Sequence, residues 1–206
     1  MSATDLSALV SARFCHDLIS PLGAIGNGLE LLQMTNGGAA SPELDLITDS
    51  LANALARIRF FRIAFGPADP DTELSCDEAA EITRAMYSGR FTVAWEAGSG
   101  SLPRPVGRVI FLAILCLEKS LPMGGLVRVS MAEDTISLNV DGRRTAAPAE
   151  LWAHVTDGTP LAAPRSESIQ FPMLREALEQ TGLGIEARFG EAEAAVSLQA
   201  RAPQPA

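Results

Sequence analysis

Cysteines and long apolar runs are scarce in this sequence, and each scarcity excludes a class of protein. The three cysteines, Cys15, Cys76 and Cys116, are scattered and show neither C-x-x-C nor Cys/His spacing, so we expect neither a disulfide framework nor a structural zinc site. The chain starts without a basic and apolar leader, and no apolar run approaches the about 18 residues of a membrane span. We therefore expect a cytoplasmic protein without a membrane segment.

Positively charged residues are also few. The sequence has 16 lysines and arginines but 25 aspartates and glutamates, which gives a formal net charge of −9. Nucleic-acid binding depends on cations that pair with phosphates, so this acidity argues against DNA or RNA as a partner. Hydrophobic residues make up 47% of the 206 residues, which is enough for a folded core and suits two small domains. The composition therefore favours a soluble protein whose partners are other proteins.

The first third of the sequence predicts two amphipathic helices joined as a hairpin. Apolar residues recur every three or four positions over 6–32 and again over 44–65, which is the spacing of one helical face. An Asn-Gly-Gly run at 36–38 ends the first helix, and Ser-Pro at 41–42 begins the second. A hairpin with two apolar faces usually packs against another hairpin, so we expect a homodimer built around a four-helix bundle.

The rest of the chain changes to a mixture of helices and strands. The predicted order is helix 75–86, strand 91–95, helix 105–119, strands 126–131 and 135–140 with a turn at 133–134, helices 148–154 and 172–181, and strands 184–189 and 194–200. Such an order builds an α+β layer. We therefore predict an α+β fold with a helical hairpin domain at 1–70 and an α/β-sandwich domain at 71–203.

The segment around His16 is the most distinctive part of the first helix. His16 lies two residues from an apolar neighbour on either side, which turns it about 200° from both and toward solvent. Its own face continues through Ser20, Gly23 and Asn27, which are small or polar. Because such a face lets another protein approach the imidazole closely, we predict a docking surface there.

Residues beside His16 suit phosphoryl transfer. A neutral imidazole offers a free nitrogen to a phosphoryl group, and the neighbouring Asp17 carboxylate can hold the proton on the other nitrogen. Pro21 lies inside the helix, where proline costs about 3 kcal/mol, and is expected to bend the axis just after the histidine. Counting equal distances from the hairpin turn brings Arg59 and Arg62 to the level of the histidine, where a guanidinium offsets phosphoryl charge.

The residues around His16 resemble a motif of a known protein family. His16-Asp17-Leu18, followed by Pro21-Leu22 and Ile25, is similar to the phosphoacceptor box of histidine kinases. The stretch 12–21 followed by 27–30 resembles the ChpT-type histidine phosphotransferases still more closely. We therefore assign His16 and Asp17 to the chemistry, and assign to partner binding Arg13, Ser20, Pro21, Gly23, Asn27, Arg59 and Arg62.

The resemblance implies a homodimer with a central four-helix bundle and a degenerate ATPase-like domain in each subunit. His16 would accept a phosphoryl group from the receiver domain of a hybrid histidine kinase and pass it to the receiver of a response regulator. The intermediate would be a phosphohistidine. The protein would need no cofactor of its own, since the partner receiver domain supplies the magnesium.

The nucleotide-binding motifs of kinase ATPase domains are missing from the second region. The helix that should carry a magnesium-binding Asn has none at 115–125, and there Glu118 is the only substitute ligand. The segment 139–144 has one Gly followed by two Arg where the kinases have Asp-x-Gly-x-Gly, and Ile19 replaces a polar kinase residue. We expect no ATP-dependent kinase activity, and two alternatives stay open: an active histidine kinase, or a non-catalytic dimeric adaptor that docks response regulators.

Overall fold

A computed structural model describes residues 3–35, 42–96, 98–132 and 135–200. Within these residues the helices are α1 (Ala3–Thr35), α2 (Pro42–Ala64), α3 (Cys76–Met86), α4 (Arg104–Ser120), α5 (Ala149–Asp157) and α6 (Gln170–Thr181), with a 3-10 helix at Ser166–Ser168. The strands are β1 (Glu73–Ser75), β2 (Phe91–Trp95), β3 (Ser101–Pro103), β4 (Gly125–Ala132), β5 (Thr135–Gly142), β6 (Leu183–Phe189) and β7 (Glu193–Ala200). The predicted α+β fold is confirmed, whereas the turns expected at 36–38 and 133–134 and the cap at Ser41 lie outside the described residues.

Helices α1 and α2 pack against each other as the predicted hairpin. Phe14 of α1 makes edge-to-face contacts with two rings near the end of α2, Phe61 at 5.0 Å and Phe65 at 5.8 Å between centroids. Helix α1 continues through Pro21 without a break in its helical assignment. Neither of these helices, nor any other in the described part of the chain, is long and apolar enough to cross a membrane.

The C-terminal region is a five-stranded mixed sheet in the order β2-β4-β5-β7-β6, covered on one face by helices. Strand β2 runs parallel to β4, and the remaining pairs are antiparallel. The register aligns Val129, Leu138 and Val196 across three strands, and all three are buried, whereas the alternate positions are more exposed. The sheet therefore has one apolar face turned toward the helices, and we call the sheet with α3 to α6 the α/β layer.

Helix α4 lies at the centre of that layer. Nearly every side chain between residues 107 and 117 is buried, which is typical of a helix that is enclosed on all sides. Pro105 lies in its first turn, where a missing backbone N–H costs nothing. The Ser75 hydroxyl caps the preceding helix α3 by accepting a hydrogen bond from the backbone N–H of Glu78 at 3.1 Å.

The hairpin and the α/β layer share one hydrophobic core. Phe60 near the end of α2 is fully buried and stacks on Phe111 of α4, with ring centroids 4.7 Å apart. The side chain of Arg108 on α4 donates a hydrogen bond from Nε to the carbonyl of Ala64 at 3.3 Å, which satisfies one of the last carbonyls of α2. The hairpin therefore ends inside the layer and is not tethered by a loose linker.

Candidate functional site

The helical face that includes the His16 position is open along α1. His16 lies within α1, and its side chain is outside the part that the structure describes. Ser20, Gly23 and Asn27, which share its face by the helical repeat, are all exposed. A Cβ atom added at Gly23 would meet no atom within 4 Å, so this face has room for a partner's side chains.

Asp17, which follows His16, is tied to Arg13 one turn earlier on the same helix. Arg13 Nε lies 2.7 Å from Asp17 Oδ2, and the two side chains are only 19% and 8% exposed. A charge-assisted hydrogen bond this short and this shielded holds the carboxylate in one orientation. Asp17 is therefore an ordered, largely buried group.

A groove of about 460 Å³ runs between α1 and α2 beside the His16 face. It is lined by Asp17, Ser20, Pro21, Ala24, Ser50, Asn53 and Arg57. The structure thus brings three of the predicted site residues together with a cation that the sequence analysis did not select, Arg57.

The two arginines selected from the sequence lie elsewhere. Arg59 Nη1 is 3.9 Å from Glu81 Oε1 of α3, and Arg62 has an exposed side chain. Arg59 and Arg62 lie about 200° and 140° around the helix from Arg57, which lines the groove. The buried positions Ser50, Ala54 and Phe61 mark the face of α2 that turns toward α1, and Arg57 is at that spacing.

Tyr87 and Glu118 of the α/β layer form a buried hydrogen-bonded pair near Arg13 and Arg57. The Tyr87 hydroxyl donates to Glu118 Oε2 at 3.1 Å. Burial raises the pKa of Glu118, while the Tyr87 hydrogen bond and the charges of Arg13 and Arg57 oppose that rise. Burial and the charge of Glu118 likewise raise the pKa of Tyr87. These groups belong to one electrostatic cluster that joins α1, α2, α3 and α4.

The hydrogen bond from Tyr87 occupies part of the Glu118 carboxylate, which the sequence offered as a substitute magnesium ligand. This carboxylate is enclosed by protein and already accepts the Tyr87 hydrogen bond. Within the described ranges no group of three or more His, Cys, Asp or Glu side chains has the arrangement of a metal site. The other kinase-motif segment ends strand β5, where Asp141 accepts hydrogen bonds from Arg128 at 3.4 Å.

Leucines and an isoleucine form an exposed stripe along the hairpin. Six of these side chains lie on one side of the two helices and are about 40–60% exposed: Leu22, Leu29, Leu44, Leu51, Leu55 and Ile58. Their separations of seven, four and three residues are those of helices that pack side by side. The stripe is an apolar surface of the hairpin that the described part of the chain leaves exposed.

A helical hairpin with His16 on its first helix, joined to an α/β layer, is the arrangement implied by the resemblance to histidine phosphotransferases, and the comparisons agree. The family model for the histidine phosphotransferase C-terminal domain matches residues 76–193, more than half of the chain. The protein phosphotransferase ChpT of Brucella abortus (strain 2308) is 36% identical over 154 residues, which cover 72% of this chain and 73% of that protein. The chain belongs to the histidine phosphotransferase family.

The likeness to a solved structure extends over the hairpin as well. A bacterial phosphotransferase is 30% identical and superposes with a TM-score of 0.82, covering 97% of this chain and 98% of its own. A histidine kinase, AdeS of Acinetobacter baumannii, is similar at 8% identity and a TM-score of 0.45. The arrangement of hairpin and layer is thus shared, almost from end to end, with a known phosphotransferase.

Proposed function

We propose that this chain is a histidine phosphotransferase of a bacterial phosphorelay, with His16 as the residue that carries the phosphoryl group. The phosphorus–oxygen bond of a receiver's phosphoaspartate breaks while a phosphorus–nitrogen bond to the imidazole forms, and the aspartate leaves as a carboxylate. A second receiver aspartate then attacks the phosphohistidine and restores the imidazole. The donor is the receiver of a hybrid histidine kinase, and the acceptor is the receiver of a response regulator.

The observation that carries this proposal is the open face of α1, in a chain that belongs to the histidine phosphotransferase family. Ser20, Gly23 and Asn27 are exposed on the face of His16, and a receiver needs such a surface to bring its aspartate within bonding distance of an imidazole. The magnesium at the receiver's own acidic site neutralises the phosphoryl charge there. The protein contributes the nucleophile and its position.

The active form in this proposal is a homodimer. The exposed stripe of the hairpin has the periodicity of a helix-packing surface, and exposed apolar patches mark protein interfaces. Two hairpins paired through this stripe form a four-helix bundle. Because the His16 position lies about 120° and 140° around α1 from Leu22 and Leu29, pairing leaves the docking face accessible.

The test is phosphoryl transfer from a phosphorylated receiver domain to the purified protein and to its His16→Ala variant. We expect acid-labile label on the wild-type protein alone, with no binding of ATP. Label on neither protein would leave a docking adaptor, and self-labelling with ATP would identify a kinase. Equal label on both would contradict the assignment of His16.

Docking is tested separately with Gly23→Trp, at a position where an added Cβ meets no atom within 4 Å of its own chain. We expect a large rise in the KM for the phosphorylated receiver. Gly100→Trp is the matched control, since a Cβ there also meets nothing within 4 Å and the residue lies in the α/β region. Equal transfer rates for the two variants would place the docking surface elsewhere.

A further inference from the structure

We propose that Arg13 is a positioning residue for phosphoryl transfer, through which the α/β layer fixes the carboxylate that adjoins His16, and that it does not dock the receiver. This inference rests on the proposed function and gives the α/β layer a role at the histidine. It differs from the expectation, drawn from the matched sequence stretch, that Arg13 binds the partner.

Arg13 makes its polar contacts within its own subunit. Its Nε binds Asp17 at 2.7 Å, and its Nη1 donates to the carbonyl of Glu167 at 3.4 Å. Glu167 belongs to the 3-10 helix of the α/β layer, far along the chain from α1. With 19% of its side chain exposed, Arg13 offers a partner little surface and connects two parts of its own subunit.

The other end of this connection is anchored. Arg13 lines a cavity of about 450 Å³ together with Glu118 and Gln170, which is 2% exposed. The Tyr87 hydroxyl holds the Glu118 carboxylate by donating a hydrogen bond to it at 3.1 Å. Attraction between the Arg13 cation and the Glu118 carboxylate supports the position of both groups.

An Asp17 carboxylate in a fixed orientation can assist the adjacent His16 imidazole. A carboxylate beside an imidazole selects the tautomer and stabilises the charge that develops on the ring, provided that its orientation is fixed. In metal sites, removing a residue that orients a ligand typically costs 10–100-fold in affinity or activity, and we expect a loss of about that size in the transfer step here. A docking residue behaves in the opposite way, because its loss raises KM and leaves kcat intact.

The experiment measures kcat and KM for transfer from a phosphorylated receiver domain to the wild-type protein, Arg13→Gln and Arg188→Gln. Arg188 is the control for lost charge, since the structure pairs it with Glu186 on the exposed side of β6. We expect Arg13→Gln to lower kcat about 10–100-fold with KM changed less than about twofold. Arg188→Gln should match the wild type. A raised KM with unchanged kcat, or no change in either, would overturn the proposal.

A second variant tests the anchor without touching α1. Tyr87→Phe removes the hydroxyl that holds Glu118 and keeps the ring that packs on Phe60 at 5.5 Å between centroids. We expect kcat to fall about three- to tenfold, the equivalent of one lost hydrogen bond. Because both residues act on Asp17 through one connection, the double variant should be no slower than Arg13→Gln alone. Losses that multiply would contradict a shared connection.

The outcomes separate this inference from the proposed function. If wild type and His16→Ala label alike, the proposed function fails and the positioning role fails with it. If the wild type labels through His16 but Arg13→Gln keeps the wild-type kcat, the positioning role alone is wrong. Partial recovery of kcat by Arg13→Lys, which restores the cation, would support positioning through charge.

Discussion

The hairpin and the α/β layer use the same apolar residues in opposite ways. Leu112 and Leu138 of the layer are fully buried, whereas Leu51 and Leu55 of the hairpin remain 49% and 47% exposed. The layer completes its core within one subunit, because a sheet face and several helices enclose it. The hairpin has only two helices, which leave one side of each uncovered. This contrast means that the apolar side chains of the layer are already enclosed within one subunit, whereas the hairpin keeps an exposed apolar side that the second copy of the proposed homodimer would cover.

The largest expected effect comes from breaking the proposed subunit interface. A Leu55→Glu substitution places a charge in the exposed stripe of each subunit, and burying an unpaired charge costs several kcal/mol. We expect the dimer to become a monomer at micromolar concentration, with little change in the stability of the layer. Light scattering measures the mass directly.

The matched control for this prediction is Asn53→Glu, which adds the same side chain to the opposite side of α2. Asn53 is exposed and lines the groove, about 160° around the helix from Leu55. It should leave the dimer intact. A dimer that survives Leu55→Glu would show that the stripe is not the subunit interface.

The next effect tests the finished core. In the Leu55→Glu background, where subunit association no longer contributes, Leu112→Ala should lower the free energy of unfolding by about 2–5 kcal/mol, because it leaves a cavity in α4. Leu29→Ala, which truncates a side chain that is 49% exposed, should lower it by less than about 1 kcal/mol. Urea unfolding measures both. Equal losses would remove the contrast between the two regions.

A smaller effect is expected where the two regions meet. Arg108→Met retains most of the buried volume but removes the donor to the Ala64 carbonyl, and an unsatisfied buried acceptor costs about 1–3 kcal/mol. Arg104→Met, which removes only a 3.5 Å exposed contact with the Arg62 carbonyl, should change stability by less than about 0.5 kcal/mol. Thermal unfolding that ranks the two variants the other way round would contradict this role of Arg108.

The smallest effect is a pH dependence from Glu118. Burial raises its pKa in the folded protein, so the native state binds the proton more tightly than the unfolded chain does. Its contribution to stability is therefore fully present below the unfolded pKa of about 4.3 and is lost as the pH rises through the folded pKa. Glu118→Gln lacks this loss, so we expect the variant to gain stability relative to the wild type with rising pH.

Unfolding curves from about pH 4 to pH 8 measure that difference. Glu186→Gln, on the exposed surface of β6, is the control and should follow the wild type throughout. If Glu118→Gln instead became steadily less stable than the wild type as the pH rose, attraction to Arg13 would outweigh the burial of the carboxyl.

Much of the fold was predictable from the sequence, because periodicity reports burial. Helices α1 and α2, the enclosed helix α4 and the β4–β5 hairpin each show a clear pattern of apolar residues. The pair β1 and β3 was not predicted, since each strand has three residues and only Leu74 and Leu102 are buried. One buried residue between two exposed ones is a pattern that a loop shows equally often, so it does not predict a strand.

The site was less predictable, because it depends on rotation about helix axes and on contacts across the chain. The face of α1 beyond His16 followed from spacing alone. The choice of Arg59 and Arg62 did not anticipate Arg57, since the level of a residue along a hairpin says nothing about its direction. The contact of Arg13 with Glu167 had no sequence signal, because 154 positions separate them.

The aromatic rings at the junction have a consequence for how such proteins can be recombined. Phe14, Phe61, Phe60 and Phe111 follow one another from α1 to α4 with centroids 5.0, 6.2 and 4.7 Å apart. A chimera that joins the hairpin of one family member to the layer of another would cut through this series. We therefore expect such a chimera to be less stable than either parent unless the rings on both sides of the junction are exchanged together.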